Sequence, residues 1–128
     1  FVFNALKDKK LKLFEPHFRR NFIHVRDVVD CILYTINNFK KMKNNIYNAG
    51  LNSANITKLQ LAQLIKKQIK DLKITTIKGI KDPDQRNYFV SNDKLMKKGF
   101  KAKRNISEGI RELIKGFKVE GLKIKNNY

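Results

Sequence analysis

The sequence predicts an α/β or α+β unit in which helices alternate with short strands. Apolar residues recur at helical spacing in several stretches, and short runs rich in β-branched residues separate those stretches. The 128 residues are 41% hydrophobic, which is enough for one compact core, and only two prolines and six glycines argue against a linker or a disordered region. The predicted strands are too few and too short for a self-sufficient sheet, so they fit a piece that completes a larger one.

The first quarter of the chain predicts a helix that ends near residue 8, a strand at 11–14 and a strand at 22–25. Asp27 is a good N-cap for the helix that follows. Its apolar positions recur at helical spacing, at Val28, Ile32, Thr35, Ile36 and Phe39. Leu33 and Cys31 widen that face, so we expect this helix to be buried on more than one side.

The rest of the chain is also predicted to alternate between short extended segments and helices. Short extended segments are predicted at residues 46–50, 74–77 and 88–90. Helices are predicted from a capping box at Thr57 to about residue 70, from 93 to 98, and from 105 or 107 to 117. A turn is expected at 82–85, and residues 118–128 are expected to form a frayed tail.

The formal charge of +18 raises the possibility of a free-standing module that binds nucleic acid or another polyanion. The 29 basic residues are 23 lysines and six arginines, spread mostly along the polar faces of helices. Base readout depends on arginine forks and stacked aromatic rings, so solvated helix faces are the preferred interpretation and nucleic acid is not the expected partner. The polyanion module remains the alternative function.

The sequence lacks the usual catalytic sets. It has no glycine-rich phosphate loop, no Tyr-x-x-x-Lys pair and no serine in a nucleophile elbow. His17 and His24 lack metal-ligand spacing, so no metal site is expected and His24 is interpreted as a structural histidine. Cys31 is expected to be a buried thiol. No apolar run approaches the roughly 20 residues needed to cross a bilayer, and nothing indicates secretion, so the cytoplasm is the expected location.

Two arginine-bearing loops are the remaining candidates for a site. They lie at residues 19–28 and 81–88. The planar fork of arginine matches two phosphate oxygens, so two such loops that converge could clamp a diphosphate. The alternative is that these arginines form structural salt bridges with Asp27, Asp82 or Asp84.

Five segments in order resemble one enzyme family. Residues 20–28, R-N-F-I-H-V-R-D-V, resemble its R-D-F/Y-I-H-V-x-D-V/L segment, and residues 46–50, I-Y-N-A-G, resemble its x-Y-N-V/I-G strand. The remaining three resemble its x-x-T-x-x-E-L-A, G-D-x-R-x-x-x-A-D-x-x-K…L-G-W/F-x-P and S/T-L-E-E-G-L/I segments, and they lie at 55–62, 84–100 and 106–110. The family is the extended short-chain dehydrogenases/reductases, which includes nucleotide-sugar epimerases and dehydratases. Asn21, Pro83 and the absence of a proline near 102–103 depart from its pattern.

The resemblance implies that residues 1–117 are the C-terminal, nucleotide-sugar-binding part of an NAD-dependent epimerase or dehydratase. The fold class is then the C-terminal portion of an NAD(P)-binding Rossmann enzyme, with mixed helices and short strands. NAD(P) would be bound mainly by a Rossmann domain upstream of residue 1, and this chain alone would be inactive. The expected partners are a UDP-, GDP-, dTDP- or CDP-linked sugar, that Rossmann domain, and a second copy in a homodimer, with no membrane.

The resemblance also implies residue roles. Arg20 would bind a phosphate of the nucleotide diphosphate, and Lys12 with Phe14 would flank the base. Arg86, with Lys81 nearby, would hold the second phosphate or the ribose.

The other implied roles do not involve the phosphates. Asp84 would accept a hydrogen bond from a ribose hydroxyl. His24 and Asp27 would be structural, Asp27 as a helix cap, and Asn48 would fix the turn after its strand. No catalytic residue is expected in this chain, which opens inside a helical stretch and so reads as part of a longer protein.

Overall fold

The computed structural model of the protein describes residues 1–77, 79 and 86–120, and these form a mixed α/β fold. The helices are α1 Val2–Asp8, α2 Val25–Asn37, α3 Phe39–Met42, α4 Lys58–Gln68, α5 Asp93–Lys97 and α6 Ile106–Val119, with a 3-10 helix at Asn52–Ala54. The strands are β1 Lys10–Leu13, β2 Arg19–Asn21, β3 Asn55–Thr57 and β4 Lys73–Thr76. None of the helices in these residues is long and apolar enough to cross a membrane.

The chain divides into two compact units. The first combines Phe1–His17, Lys58–Gln85 and Ser107–Tyr128, and the second combines Phe18–Thr57 with Arg86–Ile106. Each unit has its own two-stranded sheet among the described residues. Such small sheets agree with the expectation that the strands do not make a self-sufficient sheet.

The first unit is built on the parallel pair of β1 and β4, in which Leu11 lies opposite Ile74. Alternate residues of β1 are buried, as the apolar pattern of that strand requires. The buried apolar side chains of this unit are Val2, Ala5, Leu11, Leu13, Ala62, Ile65, Ile69, Leu72 and Ile110. An edge-to-face contact between Phe3 and Phe117, with ring centroids 5.6 Å apart, joins α1 to α6.

The second unit is built on the antiparallel pair of β2 and β3, in which Arg20 lies opposite Ile56. Its core cluster is Cys31, Met42, Leu95 and Phe100, with Tyr34, Tyr47 and Ala102 packed against it. Helix α5 is followed by Gly99, whose φ of +102° is the left-handed conformation that ends many helices.

Much of the predicted secondary structure is confirmed. The helices predicted after Thr57, at 93–98 and near 105–117 correspond to α4, α5 and α6, and the strands predicted at 11–14 and 74–77 correspond to β1 and β4. Cys31 is buried as predicted, and that burial raises the pKa of its thiol. Helix α6 continues to Val119, so the frayed tail predicted from residue 118 is wrong for residues 118 and 119. The rest of that predicted tail, at 121–128, lies outside the described residues, as does the turn predicted at 82–85.

The strand predicted at 22–25 is wrong. Strand β2 ends at Asn21 because its partner β3 is only three residues long. His24 then caps α2, since its Nδ1 accepts a hydrogen bond from the backbone N–H of Arg26 at 3.2 Å, and Val25 is already helical. The prediction that Asp27 is the N-cap is therefore also wrong: Asp27 lies in the first turn of the helix.

The apolar face predicted to be buried on α2 is buried only in part: Cys31 is buried and Val28 and Thr35 are half-buried, but the remaining predicted positions are exposed. The exposed apolar side chains form what we call the α2 apolar face, which consists of Val25, Val29, Ile32, Leu33, Ile36 and Phe39. Ile36 keeps 63% of its surface in solvent. The strand predicted at 46–50 is likewise wrong, because no strand of the described residues pairs with it, and Ile46 is 87% exposed. In both segments the apolar pattern predicted burial, but the described residues leave these apolar side chains exposed.

Candidate functional site

Arg20 lies at the centre of the candidate site, in the middle of β2. Its Nη1 donates a hydrogen bond to the carbonyl of Arg19 at 2.8 Å and a second one to the carbonyl of Arg86. The guanidinium carbon is 5.4 Å from the ring centroid of Tyr88, within cation–π range. These contacts fix the orientation of the guanidinium, so Arg20 and Arg86, predicted from the two arginine-bearing loops, are brought together in the second unit.

The segment from Arg86 to Asp93, which we call the distal segment, has no regular secondary structure up to the start of α5. Asparagine side chains hold it. The Oδ1 of Asn87 accepts from the backbone N–H of Arg19 at 2.9 Å. The side-chain amide of Asn55 donates a hydrogen bond to the C=O of Val90 and accepts one from its N–H, both at 2.9 Å.

The end of the distal segment is held by Asn52, in the 3-10 helix. Its Oδ1 accepts from the backbone N–H and from the Nδ2 of Asn92, both at 3.0 Å, and its Nδ2 donates to Asp93 at 2.7 Å. The Nδ2 of Asn48 donates a hydrogen bond to the carbonyl of Ser91 at 3.2 Å. Asn48 was predicted to fix the turn after its own strand, but this bond shows that it holds the distal segment instead. Asn52, Asn55 and Asn87 were not singled out from the sequence, because asparagine is so abundant in this chain that its positions carry no signal.

Gly50 lies where this asparagine network is most crowded. A Cβ added at Gly50 would stand 1.9 Å from Oδ1 of Asn21 and 2.9 Å from Oδ1 of Asn92. Asn92 is almost fully buried, and its Oδ1 has no hydrogen-bond partner in the described part of the chain. Only glycine fits this position without displacing two side chains that support β2 and the distal segment.

Asp27 is engaged by an arginine that was not singled out from the sequence. Its carboxylate accepts from the backbone N–H of Arg104 at 2.9 Å and from the Arg104 guanidinium at 2.7 Å, and that guanidinium also reaches Asp30 at 2.8 Å. Burial by itself raises the pKa of Asp27, but the N–H groups of Arg104 and Lys103 and the charge of Arg104 outweigh it and hold the pKa below its ordinary value. Asp27 is thus structural, as predicted, through this ion pair and not as a cap.

The other predicted site residues are not all described. Lys12 is exposed on β1 and Phe14 is half-buried just after it, both in the first unit. Lys81 and Asp84 lie outside the described residues. Tyr88 was not singled out from the sequence as a candidate, because its contact is with the guanidinium of Arg20, which is far away in the chain.

The described part of the site offers hydrogen-bond donors, positive charge and one aromatic ring. Groups of this kind can bind anionic oxygens and flat groups, but the described part of the site contains no nucleophile beside a base. Among residues 1–77, 79 and 86–120 no group of three or more His, Cys, Asp or Glu side chains could hold a metal ion. The arrangement can therefore bind and orient a ligand.

No family model matches the chain. It is similar in structure to an NAD-dependent NDP-hexosamine 5,6-dehydratase of tunicamycin biosynthesis, with a TM-score of 0.75 and 17% identity over 96% of this chain and 40% of that one. It is similar to dTDP-glucose 4,6-dehydratase from Bacillus anthracis, with a TM-score of 0.69 and 23% identity, and the match covers 95% of this chain and 40% of that one. It is also similar to a GalE-like L-threonine dehydrogenase from Cupriavidus necator, with a TM-score of 0.70 and 17% identity, and the match covers 90% of this chain and 43% of that one.

The chain thus spans about 40% of the length of the enzymes it matches. Its fold is that of the C-terminal region of these Rossmann-fold enzymes, which confirms the predicted fold class. Identities of this size show the fold alone. Because a threonine dehydrogenase shares it, the fold does not by itself select the substrate.

Proposed function

We propose that this chain is the substrate-binding part of an NAD-dependent nucleotide-sugar epimerase or dehydratase, and that it binds the nucleotide diphosphate. One observation carries the proposal: the guanidinium of Arg20 is bonded to the backbone of Arg86, so two basic segments from distant parts of the chain meet in one unit. The fold shared with an NDP-hexosamine dehydratase and a dTDP-glucose dehydratase supports the same ligand class.

Arginine is well suited to this task. Its fork donates two parallel hydrogen bonds to one phosphate, which a lysine ammonium cannot do. The bonds from Arg20 to two carbonyls restrict its rotamers before a ligand arrives. Less side-chain entropy is then lost on binding, so more of the interaction energy contributes to affinity.

The rest of the nucleotide is assigned as the resemblance implies. Arg86 and Lys81 hold the second phosphate or the ribose, and Asp84 accepts from a ribose hydroxyl. Lys12 and Phe14 flank the base, as the resemblance implies. Tyr88, 40% exposed beside Arg20, supplies a further flat surface for the ligand.

The catalytic and cofactor-binding residues lie outside this chain in our proposal. The described residues contain no strand followed by a glycine-rich loop and a helix, the arrangement that holds the pyrophosphate of a dinucleotide. We propose that a Rossmann domain of the same protein binds NAD(P). The α2 apolar face supports this arrangement, because five exposed apolar side chains on one helix, with Phe39 at the start of the next, are typical of a surface that another body covers.

Calorimetric titration of the full-length protein tests the proposal. UDP, GDP, dTDP and CDP are each compared with the matching nucleoside and with L-threonine. We expect one nucleoside diphosphate to bind saturably and its nucleoside to bind far more weakly, since the phosphates supply most of the contact energy. Equal affinity for nucleoside and diphosphate, preferential binding of threonine, or tight duplex DNA binding with a steep salt dependence would each overturn it.

A further inference from the structure

Val90, in the distal segment, is held by a side chain in the way a strand residue is normally held by a neighbouring backbone. Oδ1 of Asn55 accepts from the N–H of Val90, and Nδ2 of Asn55 donates to the C=O of Val90, both at 2.9 Å. Two such bonds to one residue reproduce the reciprocal pair of an antiparallel ladder. A single amide therefore replaces the backbone of a neighbouring strand.

Asn55 is itself anchored to the strand that carries Arg20. It begins β3, where it lies opposite Asn21 of β2, and its Nδ2 also donates to the carbonyl of Asn52 at 3.1 Å. Because β2 and β3 are hydrogen-bonded through Arg20 and Ile56, the position of Asn55 is tied to the position of Arg20 by backbone bonds.

The distal segment is thus fixed at two places that flank Tyr88. At its start, Arg20 binds the carbonyl of Arg86 and the backbone of Arg19 binds Asn87. Two residues after Tyr88, Val90 is bound by Asn55. If the attachment at Val90 is lost, the next one after Tyr88 is the bond from Asn48 to the carbonyl of Ser91, so the stretch that contains Tyr88 becomes longer between its fixed points and gains freedom.

We infer that Asn55 is a positioning residue for the diphosphate site: it does not touch the ligand, but it sets where Arg86 and Tyr88 stand relative to Arg20. The inference rests on the proposed function. It assigns a role in ligand affinity to a neutral side chain that no charge or motif marks.

The first experiment measures affinity in the full-length protein for the nucleoside diphosphate that binds best. Asn55→Ala removes both bonds to Val90, and Asn55→Asp keeps the acceptor for the N–H but loses the donor. We expect Kd to rise about tenfold for Asn55→Ala, on the scale of two lost hydrogen bonds, while kcat at saturating substrate and NAD affinity stay unchanged. Asn45→Ala is the matched control, because Asn45 bonds only locally, to Lys43, among the contacts described, and we expect it to have no effect on Kd.

A double-mutant cycle separates positioning from general destabilisation. If Asn55 acts through Arg86, then Asn55→Ala should add little to the Kd of Arg86→Ala, since the group being positioned is already gone. Full additivity of the two effects, or an unchanged Kd in Asn55→Ala, overturns the inference while the proposed function stands. A wild-type protein that binds no nucleoside diphosphate overturns both.

Discussion

The guanidinium of Arg20 donates a hydrogen bond to the backbone carbonyl of Arg86, although 66 positions separate these residues in the chain. The bond places a second cationic residue beside the first within one unit. An anion that both guanidinium groups reach is attracted by both charges. The proposed binding of a diphosphate depends on that relationship.

Arg20→Ala should weaken binding of the nucleoside diphosphate by roughly 10- to 100-fold, the range expected when a hydrogen bond to a charged group is lost. Arg20→Lys should recover only part of the loss, because an ammonium cannot make the two-point contact. Arg19→Ala is the matched control, since neighbouring strand residues point to opposite faces. A Kd as strongly affected by Arg19→Ala as by Arg20→Ala would contradict the assignment. Calorimetry on the full-length variants provides the measurement.

Asp27 should make stability depend on pH in the acid range. Hydrogen bonds from Arg104 and Lys103 outweigh desolvation and keep the folded-state pKa of Asp27 below that of the unfolded chain. Its contribution is therefore complete above about pH 4, the ordinary pKa of aspartate, and is lost as the pH falls through the folded-state value.

Urea denaturation of wild type and Asp27→Asn at a series of pH values measures this contribution. The free energy of unfolding should differ most near neutral pH, and the difference should shrink on acidification. Asp30→Asn removes a more exposed partner of the same guanidinium and should have the smaller effect. A difference between wild type and Asp27→Asn that is constant with pH would show that the carboxylate is not stabilised in the fold.

Two glycine-to-alanine substitutions should have opposite signs. At Gly50 the new methyl group would collide with Oδ1 of Asn21, so Gly50→Ala should lower the free energy of unfolding by about 1–3 kcal/mol, the usual cost of overpacking. Gly116 lies in α6 with open space around it, so Gly116→Ala should raise stability by about 0.5–1 kcal/mol. Thermal denaturation distinguishes the two, and a stabilised Gly50→Ala would contradict the described packing.

The α2 apolar face should behave as buried surface in the full-length protein. Ile36→Asp should then lower the free energy of unfolding by about 2–3 kcal/mol, as for a charge placed in an interface. Val119→Asp, at an exposed apolar position near the end of α6, is the control and should change it by no more than about 0.5 kcal/mol. Equal, small effects at both positions would indicate that nothing covers α2.

Local patterns predicted those elements whose stability is local. The capping box at Thr57 and the glycine at 99 mark ends of helices by chemistry within a few residues, and the structure places α4 and α5 accordingly. The strand expected at 46–50 was wrong because a strand also needs a partner, which a local pattern does not reveal. The same holds for α2, whose apolar spacing indicates a buried face but not what buries it.

The site was predictable only in part for a related reason. Arginine has a distinctive chemistry, so Arg20 and Arg86 could be singled out from the sequence. Asn55 and Asn52 bind backbone groups of Val90 and Asn92, which lie 35 and 40 positions further along the chain. No local sequence pattern predicts contacts over such separations. Arg104, the partner of Asp27, was missed because its contact depends on the tertiary fold.

A crystal structure of the full-length protein with its preferred nucleoside diphosphate tests the central claim most directly. The proposed function predicts phosphate oxygens at about 2.7–2.9 Å from guanidinium nitrogens of both Arg20 and Arg86, the range of charge-assisted hydrogen bonds. A diphosphate bound with neither arginine in contact would contradict it.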